Sequence, residues 1–544
     1  MKRTALLFTV ALTLGLLAAS TAFSQDVYQP YSYDFYQQLG SERYSTSTRA
    51  HTSSKPFLDN DSLFVKNYDS VINRNKIPGD KGGFYKKLFN QHQIDFNNST
   101  NTFYADFLPD FVAGKNLSGN HETTSLTAYG LQVGGSFDHK LVYNFTGFEN
   151  QSTFPEYLST YIHQTGNIPG EAAINASGKN TFNWWYYTAN VSYTPVKYLN
   201  ITIGRDKNFI GDGYRSLFLS DYASPYPFLK LTATLGNVQY TCMWTYMNDP
   251  TDLDSLGHHQ TKWGVFHYLD WNVTSRLSLG FYDSIIWPNE DGAGHYRGFD
   301  FEYVQPIVFL RPVEASSGSP DNALIGFTAK YKLSNGIMAY GQFMLDEFEA
   351  KNFFSDNGSS RNKNGWQLGI RGSNLFGITG LGYLLESNNV KPYTYSERAP
   401  IENYTENGEP LAHPWGGNFR EVVGLLNYTY KRFQFAGEGD FGYYGLDENG
   451  LNYGKDPFND YTHPAKEYGN YMGQGLTTHL YYLDGRAAYL INPKYNLRLE
   501  LEGTYRHEQN TQFTDRTLLV SIGLRSSFRK MYTDLSSFKT GNRY

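Results

Sequence analysis

The sequence predicts an all-β chain: a transmembrane, outer-membrane β-barrel of about 18 antiparallel strands with a short, partly helical N-terminal periplasmic region. Three observations lead there. The composition is aromatic and glycine-rich without long apolar runs, a two-residue alternation persists from Phe103 onward, and the connections alternate between short and long. The 544 residues include 46 Tyr, 38 Phe, 8 Trp and 52 Gly, so aromatics reach 17% and Tyr alone matches the 46 Lys and Arg. A mean hydropathy of -0.52 excludes a helical membrane bundle, and beyond the N-terminus no apolar run approaches the roughly 18 residues of a spanning helix. A single Cys rules out a disulfide scaffold. A net charge of -6 offers no basic footprint for nucleic acid.

Residues 1–24 read as an export signal, with Lys2 and Arg3 as the positive region, an apolar stretch from Ala5 to Ala19, and Ala22-Phe23-Ser24 before Gln25. Residues 25–101 are polar and Tyr-rich, with helical signals at Ser32–Leu39 and Phe84–His92, and read as a periplasmic or plug region. Residues 102–529 carry the barrel and 530–544 form a tail. The one Cys, Cys242, lies in Tyr240-Thr241-Cys242-Met243-Trp244 and is expected to pack.

Alternation is clearest at Tyr495–Glu502, where Tyr495, Leu497, Leu499 and Leu501 point one way and Asn496, Arg498, Glu500 and Glu502 the other. Trp366/Leu368/Ile370, Leu199/Ile201/Ile203 and Leu518/Val520/Ile522/Leu524 repeat the pattern. Short connections fall at Asp138-His139, Thr194-Pro195, Gly236-Asn237, Thr274-Ser275, Ser334-Asn335, Asn374–Gly377, Tyr430-Lys431 and Asn492-Pro493. Long ones cover 150–180, 207–226, 248–260, 287–321, 349–363, 388–418 and 444–474. Short turns on one side and long loops on the other mark an outer-membrane barrel. Of the strand-like runs, Phe299–Pro312 contains Pro306 and Pro312 and is left out. That makes the strand count even and turns 287–321 into an external connection expected to fold into the lumen. Most aromatic rings then belong to the girdles at the two bilayer interfaces.

Chemistry is sparse. Glu438 and Asp440, two apart on one strand, share the lumen face, as two carboxylates of a glycosidase would, yet large barrels are generally lined with opposite charges. No zinc-protease, Walker, nucleophile-elbow or paired-Cys motif occurs. The acidic stretches Asp249–Asp254 and Asp447–Asn449 lack calcium-loop spacing. No catalytic group, metal or cofactor is therefore expected, and the chain reads as non-enzymatic. Three segments mix Arg, carboxylate, amide and aromatic groups on a Gly- or Pro-bent backbone: Gly204–Asp221, Arg297–Asn322, and Asn403–Glu421. From them Arg205, Asp206, Tyr214, Arg215, Asp221, Glu302, Arg311, Glu314, His413, Trp415 and Asn418 are candidate contacts for a hydroxyl-rich or anionic sugar. Phe209, Tyr214, Tyr303, Tyr404 and Trp415 are the loop rings most suited to a ligand.

Gly204–Asp221, Tyr303-Val304-Gln305-Pro306 with Arg311 and Glu314, and Leu411–Glu421 resemble the capsule-assembly Wzi family. The likeness is greatest to its Bacteroidetes branch of RemB-like gliding-motility proteins, and it extends to His51–Phe57. The resemblance implies an 18-stranded outer-membrane barrel, surface polysaccharide as partner, and a cell-surface role with gliding or secretion machinery. Outer-membrane lipid is the other partner. The stretch Arg529–Tyr544 after the last strand departs from the usual barrel ending. The expected function is to bind or organise cell-surface polysaccharide in capsule assembly or attachment, with a part in gliding or adhesion. A porin-like transport pore is the alternative.

Overall fold

The computed structural model describes residues 29–39, 44–57, 62–74, 76, 83–119, 121–253, 259–290, 295–305, 321–347 and 357–538. Eighteen antiparallel strands close into a barrel. They are β1 (Thr102–Asn116), β2 (Thr123–Phe137), β3 (Leu141–Thr153), β4 (Thr181–Val196), β5 (Leu199–Asp206), β6 (Tyr226–Leu235), β7 (Val238–Leu253), β8 (His259–Trp271) and β9 (Leu277–Pro288). The second half comprises β10 (Asn322–Ser334), β11 (Ile337–Glu347), β12 (Lys363–Gly372), β13 (Leu381–Val390), β14 (Phe419–Tyr430), β15 (Phe433–Leu446), β16 (Leu476–Asn492), β17 (Leu497–Gln509) and β18 (Thr514–Arg525). Each pairs with its neighbours in sequence, and β18 closes on β1 from Leu519–Asn116 to Leu524–Phe111. No described helix is long and apolar enough to cross a membrane.

The alternation sets the two faces. Ile203, Leu368, Leu385, Leu483 and Leu501 point outward and are exposed, whereas Thr202, Gln367, Arg371, Asp484 and Glu500 point into the lumen and are buried. At the short-turn end Phe137, Tyr193, Trp271, Tyr331, Tyr430, Phe433 and Tyr489 form an outward aromatic girdle. Trp185, Tyr187, Trp366, Phe441 and Tyr481 stand outward on the upper wall. The turns suit their hand: Asp138 and His139 both take positive φ (51° and 52°), which a two-residue hairpin favours because it matches the strand twist.

The lumen is filled by the chain itself. The N-terminal segment enters with α1 (Tyr33–Gln38), and Ser54–Lys55 pairs with Phe209–Ile210 of the β5–β6 loop. Farther on come α2 (Ser62–Ile72) and α3 (Gly83–Phe89), whose neighbour Asn90 binds Arg432 beside a short turn. The signals at Ser32–Leu39 and Phe84–His92 thus correspond to α1 and α3, while α2 had no recognised signal. Residues 206–226 are buried throughout. Above them 391–418 forms a cap, and the segment between β3 and β4 adds α4 (Glu156–Thr165). After β18 the tail climbs the lumen. Ser527 holds Arg498 near the short turns, and Ser537 reaches Glu508 at the long-loop end.

The expectation that 287–321 folds into the lumen fails for its described part. Residues 295–305 lie on the outer wall, where outward-facing Cys242, Val265, His267, Ile285 and Trp287 are buried. The cause is a row of outward indoles with N–H groups to satisfy. Trp244 donates to the Tyr303 carbonyl (2.9 Å), Trp263 to Asn289 (2.9 Å) and Trp287 to the Gly298 carbonyl (3.2 Å). Phe299 meets Trp263 edge to face, Tyr303 tilts against Trp287, and Arg297 clamps Asp321 at 2.5 and 2.8 Å. Phe301–Val304 is one 3-10 turn, not a strand. The export signal, Pro306 and Pro312 lie outside the described residues.

Because Leu385 sits midway along an outward face, Leu385→Arg is expected to cost about 2–4 kcal/mol, and Phe137→Arg at the girdle about 0–1 kcal/mol. Urea unfolding in lipid vesicles measures the difference.

Candidate functional site

Seven of the candidate residues are buried in the lumen, and Tyr214 and Arg215 follow a stretch that only glycine lets approach the wall. A Cβ on Gly213 would stand 2.0 Å from Glu386 Oε2, and Gly211 has φ +149° with Gln342 against it. This tight passage lets Glu386 accept the backbone N–H groups of Tyr214 and Arg215, each at 3.0 Å, and the Tyr340 hydroxyl at 2.8 Å.

Arg215 is the centre. Its Nη2 lies 2.9 Å from Glu421, 3.4 Å from Asp440 and 2.7 Å from Asp534 of the tail. Burial opposes the charge on Arg215, but Asp534 and Glu421 outweigh it, so the proton stays on the guanidinium. For Asp534, burial is overcome by Arg215 and Lys530, and its carboxyl is held below the usual range. The Tyr214 hydroxyl lies 3.1 Å from Glu438 and 3.0 Å from Asp534, and Lys530 binds both Tyr214 and Glu438. Glu438 and Asp440 do share the lumen face, but they are engaged by Tyr214, Lys530 and Arg215.

His413 completes the ring. Its Nδ1 accepts the Trp415 backbone N–H at 3.1 Å, which leaves Nε2 to donate to Glu421 at 2.8 Å. Burial pushes its pKa down despite the carboxylate beside it, so the neutral tautomer is the one that fits. Trp415 donates its indole N–H to the Asp534 carbonyl at 3.1 Å. Asp221 accepts the Tyr532 hydroxyl at 2.6 Å, and Asp206 accepts from Asn190 at 2.8 Å. Asn418 ties the cap to the end of β15 and to the β15–β16 loop, donating to the carbonyls of Gly445, Tyr453 and Gln474. Below, Asp212 accepts Thr52 and Ser53 at 2.5 and 2.6 Å. Burial would raise Asp212, but the ammonium groups of Lys330 and Lys55 bring it down to about 2.

The remaining candidates lie elsewhere. Arg205 faces outward, 4.2 Å over the Tyr187 ring, and Glu302 is exposed on the outer wall strap. Arg311 and Glu314 lie outside the described residues. Of the loop rings, Tyr404 is buried against Tyr282 and Tyr395, Phe209 lies inside against Tyr31, and Tyr303 belongs to the strap itself, packed on Trp287. The sequence reading missed Glu386 and Asn388, two apart on β13, and the tail residues Lys530, Tyr532 and Asp534. An alternation count on β13 would have found the first pair; nothing local announces the tail.

Beside this network a cavity of about 240 Å³ runs between the plug and the wall. Arg486, Arg498, Glu500, Glu502, Arg525 and Lys530 line it, as do Leu158 of α4 and Pro155 just before that helix. Among the described residues no group of three or more His, Cys, Asp or Glu side chains is placed to hold a metal ion.

In fold the chain is similar to Wzi, an outer-membrane protein of Escherichia coli involved in group 1 capsule assembly and described as a carbohydrate-binding β-barrel. The TM-score is 0.54 at 13% identity, covering 90% of this chain and 97% of that one. Pseudomonas aeruginosa OprD (TM-score 0.40, 8% identity, 77% and 94% covered) and Acinetobacter baumannii OccAB2 (0.42, 8%, 78% and 97%) are more distant in shape. No family model and no curated protein matches the chain.

Arg215→Ala leaves Glu421, Asp440 and Asp534 buried without their cation and should destabilise the plug by about 3–5 kcal/mol. Hydrogen exchange should then speed up in tail residues 526–538. The cap hairpin pairs Thr405–Glu406 with Glu409–Pro410. Burial raises Glu406 to about 8 and Glu409 to about 7. The folded hairpin keeps protons that an unfolded one releases, so this contribution is complete below the ordinary carboxyl range and is lost as pH rises through 7 to 8. Exchange of residues 405–410, corrected for intrinsic rates, should therefore be faster at pH 9 than at pH 6.

Proposed function

We propose that the chain is a non-enzymatic outer-membrane barrel that binds or organises surface polysaccharide at its long-loop end, with a part in gliding or adhesion. One observation carries this reading. The lumen, wide enough in an 18-stranded barrel to conduct solutes, is instead occupied by residues 206–226, the 391–418 cap and the tail, held by buried ion pairs. A barrel closed in this way offers its external surface. The shape shared with a carbohydrate-binding barrel supports the same reading, as does the resemblance of the loop segments to the capsule-assembly family.

The porin-like alternative requires an aqueous path through the lumen, where residues 206–226 are buried throughout. Purified full chain in a planar bilayer should give no large, discrete conductance steps, whereas stable steps would favour a pore. Cells without the protein should retain less capsule or slime. Unchanged retention and unchanged spreading on agar would count against the proposed role.

A further inference from the structure

Among the described residues, the long-loop end carries a patch in which aromatic faces and cations are exposed together. In the β15–β16 loop Tyr468 and Tyr471 are 51% and 60% exposed, and the Lys466 ammonium lies 5.9 Å from the Tyr471 ring. The loop is laced to the segment before β12. Gly469 and Asn470 donate to the carbonyls of Asn357 and Gly358, and Ser360 donates to that of Glu467, all at 2.9 Å. Asn470 also ties Gly358 to Lys466 through its amide, at 2.9 and 3.0 Å. The rings therefore stand on a fixed backbone, which lowers the ordering cost of binding.

The charges on the patch differ from those of the chain. Arg361, Lys466 and Arg398 are exposed, the last next to Glu397, which binds Lys363 beneath the Tyr461 ring. Among the described residues of the β15–β16 loop and of 357–363, Glu467 is the exposed carboxylate and Asp447, Glu448 and Asp460 are half-buried, Asp460 being engaged by Thr462 and His463. In a chain of net charge -6, this is a locally basic surface. Tyr faces suit the apolar side of a sugar ring, and Arg and Lys suit its carboxylate.

We propose that Arg361, Lys466, Tyr468 and Tyr471 form a binding site for an acidic polysaccharide, one whose sugars carry carboxylates. The proposal rests on the polysaccharide-binding reading and specifies its ligand class and its place. It is tested with the full chain in detergent, measuring binding of polygalacturonate and of neutral dextran. Polygalacturonate should bind, more weakly as salt rises, and dextran should not. Tyr468→Ala/Tyr471→Ala and Arg361→Glu/Lys466→Glu should each weaken binding at least about tenfold. Because these side chains are exposed, thermal unfolding of both variants should match wild type, and a folded variant that binds as wild type overturns the site. Equal binding of dextran overturns the acidic class. Binding of neither polymer overturns both this site and the broader reading, whereas polygalacturonate binding that ignores the substitutions overturns the site alone.

Discussion

A closed wall of 18 strands creates an interior that must be filled or left wet, and in this protein one guanidinium decides which. Arg215 sits where the β5–β6 loop, β14, β15 and the tail converge, and three carboxylates share it. Such a cluster is weak evidence of net stabilisation, because each charge loses its water. Its value is specificity: with one partner missing, the others are stranded, so the loop and the tail have a single arrangement that satisfies them all. The glycines at 211 and 213, the Glu386 acceptors and the His413 tautomer are all consequences of bringing that group so deep.

Much of the wall was legible in the sequence because a strand's period is two and one face meets lipid. Leu497, Leu499 and Leu501 alternate with Arg498 and Glu500, so side follows directly from residue type. The even strand count also followed from local chemistry, since Pro306 and Pro312 spoil one run. The interior was only half legible. Arg215, Tyr214, His413 and Trp415 stood out as a dense mixture of groups, but their mutual partners lie 170 to 320 residues away in many cases, and no local period encodes such distances. The outer strap went the other way from the expectation. Whether a loop turns inward or outward depends on which surface holds unsatisfied donors, and Trp244, Trp263 and Trp287 show themselves as a row only after the strands are in register.

The division of roles inside and outside follows from the same economy of charge. Groups dense enough to attract notice in the sequence are largely engaged within the lumen, whereas Tyr468, Tyr471 and Lys466 lie in a stretch without a distinctive motif. The surface that remains available is decided by what the plug leaves over.

The tail also gives the molecule a mechanical direction. From Ser526 to Phe538 it lies along the barrel, anchored in turn at Tyr532–Asp221, Asp534–Arg215, Ser536–Lys455 and Ser537–Glu508. A pull along the axis loads these contacts side by side, as in shear, so they must yield together. Opening the β18–β1 seam sideways loads its ladder pairs one after another. The chain is thus a bolt drawn through its own housing, stiff against extraction and vulnerable only where the housing was last joined.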